Sequence, residues 1–139
     1  MKILPLTIHQ YDEIIILWQA SEGVGLSGAD ERENIRLYLE RNPGMSFVAV
    51  ADGRIVGTIL CGHDGRRGFI HHLAVHQDYR RRGIASQLTQ KSVAALQAAG
   101  IQKCHIFIFR RNASGISFWQ ANGWEIREDI YIMSRVIGD

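Results

Sequence analysis

The stretch from Phe69 to Ala99 constrains the fold of this chain more than any other. Phe69 to Val75 is a short apolar run with strand character. A few residues later, Arg80-Arg81-Arg82-Gly83-Ile84-Ala85 opens a segment of helical period, with Ile84, Leu88, Ala95, Leu96 and Ala99 on one face and Gly100 as its stop. The first amides of a helix have no intrahelical acceptor, and the helix dipole favours an anion beside them. Gly83 lets a ligand approach the backbone, Ala85 keeps the next turn small, and arginines add bidentate donors for phosphate oxygens. In isolation the same residues also fit three solvated arginines or a nucleic-acid patch, so the flanking order decides.

That order is regular. Lys2 to Leu6 reads as a strand, and Thr7 caps a helix over Ile8 to Ala20 with Ile14, Leu17 and Trp18 on one face. Ser21 to Gly28 is a glycine-rich loop. Asp30 to Arg41 is a second helix, with Ile35, Tyr38 and Leu39 inward, stopped by Asn42-Pro43-Gly44. Met45 to Ala51 and Arg54 to Cys61 form a hairpin about Asp52-Gly53, which suits a type I′ turn. After the polar Gly62 to Gly68 turn and the Phe69 strand, Lys103 to Phe109 is a further strand and Ala113 to Asn122 a helix stopped by Gly123. Trp124 to Arg127 and Ile130 to Val136 read as closing strands. The order β-α-α-β-β-β-α-β-α-β-β predicts an α+β fold with a mixed sheet and a right-handed crossover from the Phe69 strand to the Lys103 strand.

The 139 residues fit one domain, residues 1–139. A hydrophobic fraction of 46% with 22% charged residues belongs to a globular chain. No apolar run reaches the roughly 18 residues of a membrane span. The start lacks the features of a signal peptide, so a cytoplasmic protein with no membrane partner is expected. A formal net charge of +2, without interleaved aromatic and basic residues, argues against a nucleic-acid partner. Cys61 and Cys104 lie in apolar stretches and read as reduced, buried thiols; their spacing is not that of metal ligands, and no metal is expected.

Leu73-Ala74-Val75, then Arg80-x-x-Gly83-x-Ala85, then Asn112-x-x-Gly115-x-x-Phe118-Trp119-x-x-x-Gly123-Trp124, together with Val56-Gly57-Thr58, resembles the GNAT superfamily of N-acetyltransferases. The Gly62 to Gly68 turn is similar to that of its small bacterial YpeA-like members. The resemblance covers nearly the whole chain. It implies a mostly antiparallel mixed sheet of about seven strands flanked by four helices, with a splayed central strand pair. It implies transfer of the acetyl group of acetyl-CoA to a primary amine, a small amine or a protein amino group, by direct attack in a ternary complex. Leu73, Ala74 and Val75 would hold the pantetheine arm. Arg80, Arg81, Arg82, Gly83, Ile84 and Ala85 would hold the pyrophosphate. Asn112, Ser114, Phe118 and Trp119 would close the site from the far side, with Asn112 also able to cap its own helix.

The resemblance leaves the chemistry open. Where many members have a tyrosine to protonate the departing thiolate, this chain has Trp119, whose indole donates a hydrogen bond but does not titrate. Trp119 either hydrogen-bonds sulfur or packs. Base candidates are His71 and His72 on the strand before the loop, of which strand alternation lets one face the cleft, and Glu22 in the loop after the first helix. A strand amide near Val75 is the expected oxyanion donor. The replaced tyrosine also admits an alternative, a non-catalytic acetyl-CoA-binding sensor. Exposed sheet edges near the C-terminus make a homodimer reasonable.

Overall fold

Asp52 and Gly53 both take positive φ, 53° and 74°, so the type I′ turn forms and joins β2 (Phe47–Ala51) to β3 (Arg54–His63). In this computed structural model, which describes residues 1–138, the remaining strands are β1 (Lys2–Pro5), β4 (Gly68–Val75) and β5 (Cys104–Ile106). They make one five-stranded sheet in sequence order, antiparallel except for the parallel β4–β5 pair. Four α-helices accompany it: α1 (Tyr11–Gln19), α2 (Arg32–Arg41), α3 (Ile84–Ala98) and α4 (Ala113–Ala121).

The period of two in the strands sorts side chains into two cores, one on each face. Val48, Leu60 and Ala74 meet Ile14, Leu17 and Trp18 of α1 and Ile35 of α2. On the opposite face Ala49, Val56, Ile59, Cys61 and Ile70 meet Ile84, Leu88 and Leu96 of α3 and Trp119 of α4. β3 lies in the middle and is buried on both faces from Ile55 to Gly62. Gly57 sets the depth of α3 on the sheet: a Cβ there would stand 3.1 Å from Leu88 and 3.2 Å from Ile84.

The structure departs from the sequence reading at five places. The sheet has five strands rather than about seven. Residues 124–127 and 130–136, expected as closing strands, form no ladder, and β5 stops at Ile106 rather than Phe109. Alternation records which side chains would share a face, but a strand also needs a neighbouring edge to satisfy its amides. Thr7 leads into a 3-10 turn, Ile8–Gln10, closed by the Thr7 amide on Gln10 Oε1 at 2.9 Å, before α1 begins. Asp30 is not in α2; it ends a separate 3-10 turn, Gly28–Asp30, where its Oδ2 accepts the Ser27 amide at 3.0 Å. Among the described residues no helix is long and apolar enough to cross a membrane.

Leu88 is fully buried between sheet and α3. Leu88→Ala is expected to remove about 2–5 kcal/mol of unfolding free energy, read as a lower urea midpoint at unchanged m-value.

Candidate active site

β4 is paired with β3 along its length, from Gly68 opposite His63 to Val75 opposite Gly57. Its other edge meets β5 only at Gly68, Phe69 and Ile70. The ladder ends at Ile70 and Ile106, where the family resemblance implies a splay. A narrow cleft of about 60 Å³ lies there, between His71, His72 and Leu73 on one side and Ile106, Phe107 and Ile108 on the other. Asn112 and Trp119 close its end, and Gly23 and Val24 of the loop after α1 border it.

A β-bulge shapes β4 at the cleft. Thr58 opposes Ala74 and Leu60 opposes His71, so His72 and Leu73 together face Ile59. His72 takes a φ of +50°, in the left-handed region. This breaks the alternation, and both His71 and His72 border the cleft, where a regular strand would have sent one away.

The two histidines have different surroundings. His72 Nε2 lies 2.6 Å from Asp30 Oδ1, with both side chains little exposed, and its ring tilts against Trp18 at 4.7 Å. The His72 carbonyl accepts from Thr58 Oγ1 at 2.9 Å, and that hydroxyl accepts from Trp18 Nε1 at 2.9 Å. Tyr11 donates to the Asp30 carbonyl at 2.6 Å. The His71 ring, by contrast, stands edge-on to Tyr38 and His72 and tilted to Phe107, and makes no side-chain hydrogen bond among the described residues. Burial, then the neighbouring His72, pushes its pKa below the ordinary 6.5, with Asp30 opposing.

His71 and Phe107 also border a wider groove of about 400 Å³. Its walls are the rings of Tyr38, Phe69 and Phe107, and Arg41, His63 and Asp64 stand along it. Among the described residues the buried Tyr38 hydroxyl has no hydrogen-bond partner. Burial raises its pKa, with Cys61 and Cys104 adding to the effect, so it stays a protonated donor.

At the other end of β4 the chain turns into α3. Arg81 and Gly83 both sit in the left-handed region, at φ 63° and 78°, and no side chain caps the N-terminus of α3. Left-handed residues in this turn are an arrangement that gathers amides into an anion-binding concavity. Arg80 Nε donates to the Val75 carbonyl at 3.1 Å, and the Arg82 guanidinium lies 4.9 Å from the centre of the Tyr79 ring. Arg81 is exposed, Ile84 is buried in the core, and Ala85 is half-buried.

The remaining sequence candidates fall as follows. Asn112 Oδ1 caps α4 through the Gly115 amide at 2.9 Å while Asn112 borders the cleft. Trp119 is buried, packed edge-on against Phe118 and Trp124 at 5.3 and 4.8 Å, with its other side on the cleft. Ser114 is exposed beside the cap. Leu73, Val75 and Phe118 are partly buried against one core and Ala74 belongs to the other. Glu22 is exposed and borders neither cavity, although the adjacent Gly23 and Val24 do. Sequence reasoning missed Asp30, Thr58 and the groove side of Tyr38. Ser27-x-x-Asp30 has the form of a capping box, but nothing local signals a partner 42 positions away. Among the described residues no group of three or more His, Cys, Asp or Glu is placed to hold a metal ion.

Comparison with known proteins agrees with this geometry. Residues 11–124 match the model of the Acetyltransferase (GNAT) family. A protein of Yersinia pestis (strain Pestoides F) named an acetyltransferase is 32% identical over 139 residues, 100% of this chain and 98% of that one. An aminoglycoside antibiotic 6′-N-acetyltransferase from Acinetobacter haemolyticus superposes with a TM-score of 0.80 at 16% identity, covering 99% of this chain and 100% of that one. The PaiA N-acetyltransferase of Thermoplasma acidophilum, solved with coenzyme A, gives 0.76 at 18% identity, covering 91% of this chain and 90% of that one. A β4–β5 ladder that ends at Ile70 and Ile106, an uncapped left-handed turn into α3 and a family match across most of the sequence thus converge, and the chain belongs to the GNAT family of acetyltransferases.

Proposed function

We propose that residues 1–139 act as one catalytic domain that transfers the acetyl group of acetyl-CoA to a primary amine seated in the groove, by direct attack within a ternary complex. The observation that carries this reading is that the cleft and the groove meet at His71. A sensing module would need the cleft alone.

On this reading the amides of residues 81–85 hold the pyrophosphate, with Arg80, Arg81 and Arg82 adding attraction from its edges. The pantetheine arm follows Leu73 to Val75, and the thioester lies by Asn112 and Trp119. His71 takes a proton from the bound ammonium, and the freed amine attacks the thioester carbonyl. A backbone amide in the bulged stretch from His72 to Val75 faces the developing oxyanion. The oxyanion then collapses, the carbon–sulfur bond breaks, and the extra proton left on the attacking nitrogen passes to the departing thiolate. A thiol with a pKa of roughly 8.5 leaves without a strong acid, so Trp119 need only donate a hydrogen bond to sulfur. His72, held by Asp30, orients the bulge and is not the base. Three aromatic walls favour an amine carried on an apolar or aromatic body.

Three outcomes test this. Acetyl-CoA at about a hundred times its Kd should raise the Tm by roughly 5–10 °C, and Gly83→Glu, which puts a negative side chain at a left-handed position, should abolish the shift. No shift in the parent protein would overturn the cofactor assignment. His71 is neutral at pH 7 because its pKa is lowered, so the acid limb of kcat/KM should fall below pH 6.5, and His71→Ala should reduce kcat/KM about 10²–10⁴-fold. A limb above pH 7, or an unchanged rate in the variant, would remove His71 as base. Asp30→Asn weakens a buried charged hydrogen bond and should lower the unfolding free energy by about 1.5–3 kcal/mol in urea titration.

A further inference from the structure

His71 and His63 both border the wider groove. In the β3–β4 ladder His71 lies opposite Leu60 and His63 opposite Gly68, so the two stand three positions apart, roughly 10 Å along the strands. The rings of Tyr38, Phe69 and Phe107 wall the space. The end away from His71 is built by the C-terminus of α2. Buried Asn42 accepts the His63 amide on Oδ1 at 3.0 Å and donates through Nδ2 to the Tyr38 carbonyl at 3.2 Å. Gly62 permits this close seat: a Cβ there would stand 2.6 Å from Asn42 Cγ and 2.7 Å from the Tyr38 hydroxyl.

Arg41, next to Asn42, is thereby brought to the groove beside His63. It is exposed and forms no ion pair among the described residues. The acid at this end, Asp64, is engaged by its own turn, where Oδ1 accepts the amides of Arg66 and Arg67 at 2.8 and 2.9 Å. His63 Nδ1 accepts the Gly65 amide at 3.0 Å, which leaves the ring proton on Nε2. The charge left uncommitted at this end is the guanidinium of Arg41.

We propose, resting on the transferase reading above, that the acceptor carries a carboxylate at the end opposite its amine, and that Arg41 binds this carboxylate while His71 faces the amine. A guanidinium meets a carboxylate through two parallel bonds. The ladder spacing sets the length of the acceptor. A benzylic amine with a carboxylate across its ring spans the groove with a hydrogen bond at each end. An α-amino acid, whose amine and carboxylate share one carbon, reaches one end only. The contact is made equally in the bound and the reacting state, so it acts on KM rather than kcat.

Thiol release at saturating acetyl-CoA is compared for benzylamine, para-(aminomethyl)benzoate, its neutral amide, para-xylylenediamine and phenylalanine. The benzoate should exceed benzylamine and the amide in kcat/KM by about tenfold, through KM. Arg41→Gln should remove most of that preference, and Arg41→Glu should turn it toward the diamine. Equal kcat/KM across the panel would overturn this proposal and leave the transferase reading standing. So would a preference of the parent protein for the diamine or phenylalanine, or a benzoate preference that survives Arg41→Gln. No thiol release from any of the amines would overturn both.

Discussion

The hydroxyl of Thr58 accepts from the Trp18 indole and donates to the carbonyl of His72, deep between β3 and α1. A carbonyl turned inward by a bulge would otherwise be a buried acceptor without a partner, at a cost of about 1–3 kcal/mol. Thr58 removes that cost and ties the bulge to α1. The left-handed turn at His72 is therefore held from two sides, by Thr58 at its carbonyl and by Asp30 at its ring. Both histidines reaching the cleft follows from that turn.

At the opposite end of β4 the division of labour is between backbone and side chains. The turn through Arg81 and Gly83 fixes the direction of the first amides of α3, which can therefore recognise an anion in one geometry. The arginines are held by side-chain contacts of their own, Arg80 to the Val75 carbonyl and Arg82 to the Tyr79 ring. The guanidinium groups of Arg82 and Arg54 lie 4.9 and 5.3 Å from the centre of the Tyr79 ring, and Tyr79 in turn donates to Asp52 in the β2–β3 turn. The hairpin turn and the turn into α3 are thus linked through one phenol ring.

Much of this was legible where the determinant is local. The Asp52-Gly53 turn, the helix start at Gly83 and the Asn112 cap each need a residue type at a fixed offset, and each forms in the structure. The features that distinguish His71 from His72 are not local. Asp30 and Thr58 lie 42 and 14 positions from His72, and their pairing depends on how α1 settles on the sheet. The bulge was hidden for a related reason: nothing in Phe69 to Val75 marks where one extra residue enters the ladder. The closing strands were overread because Ile130, Ile132 and Val136 alternate like a strand wherever they lie.

The two cysteines have a bearing on a reaction that liberates a thiol. Burial pushes Cys61 up to about 12 and Cys104 up to about 11, with Cys104 on β5, two residues before the cleft-lining Ile106. Thiol–disulfide exchange proceeds through the thiolate, and at neutral pH these two side chains supply almost none. An acetyltransferase built this way can release coenzyme A repeatedly, even as some of it oxidises, without becoming linked to its own product.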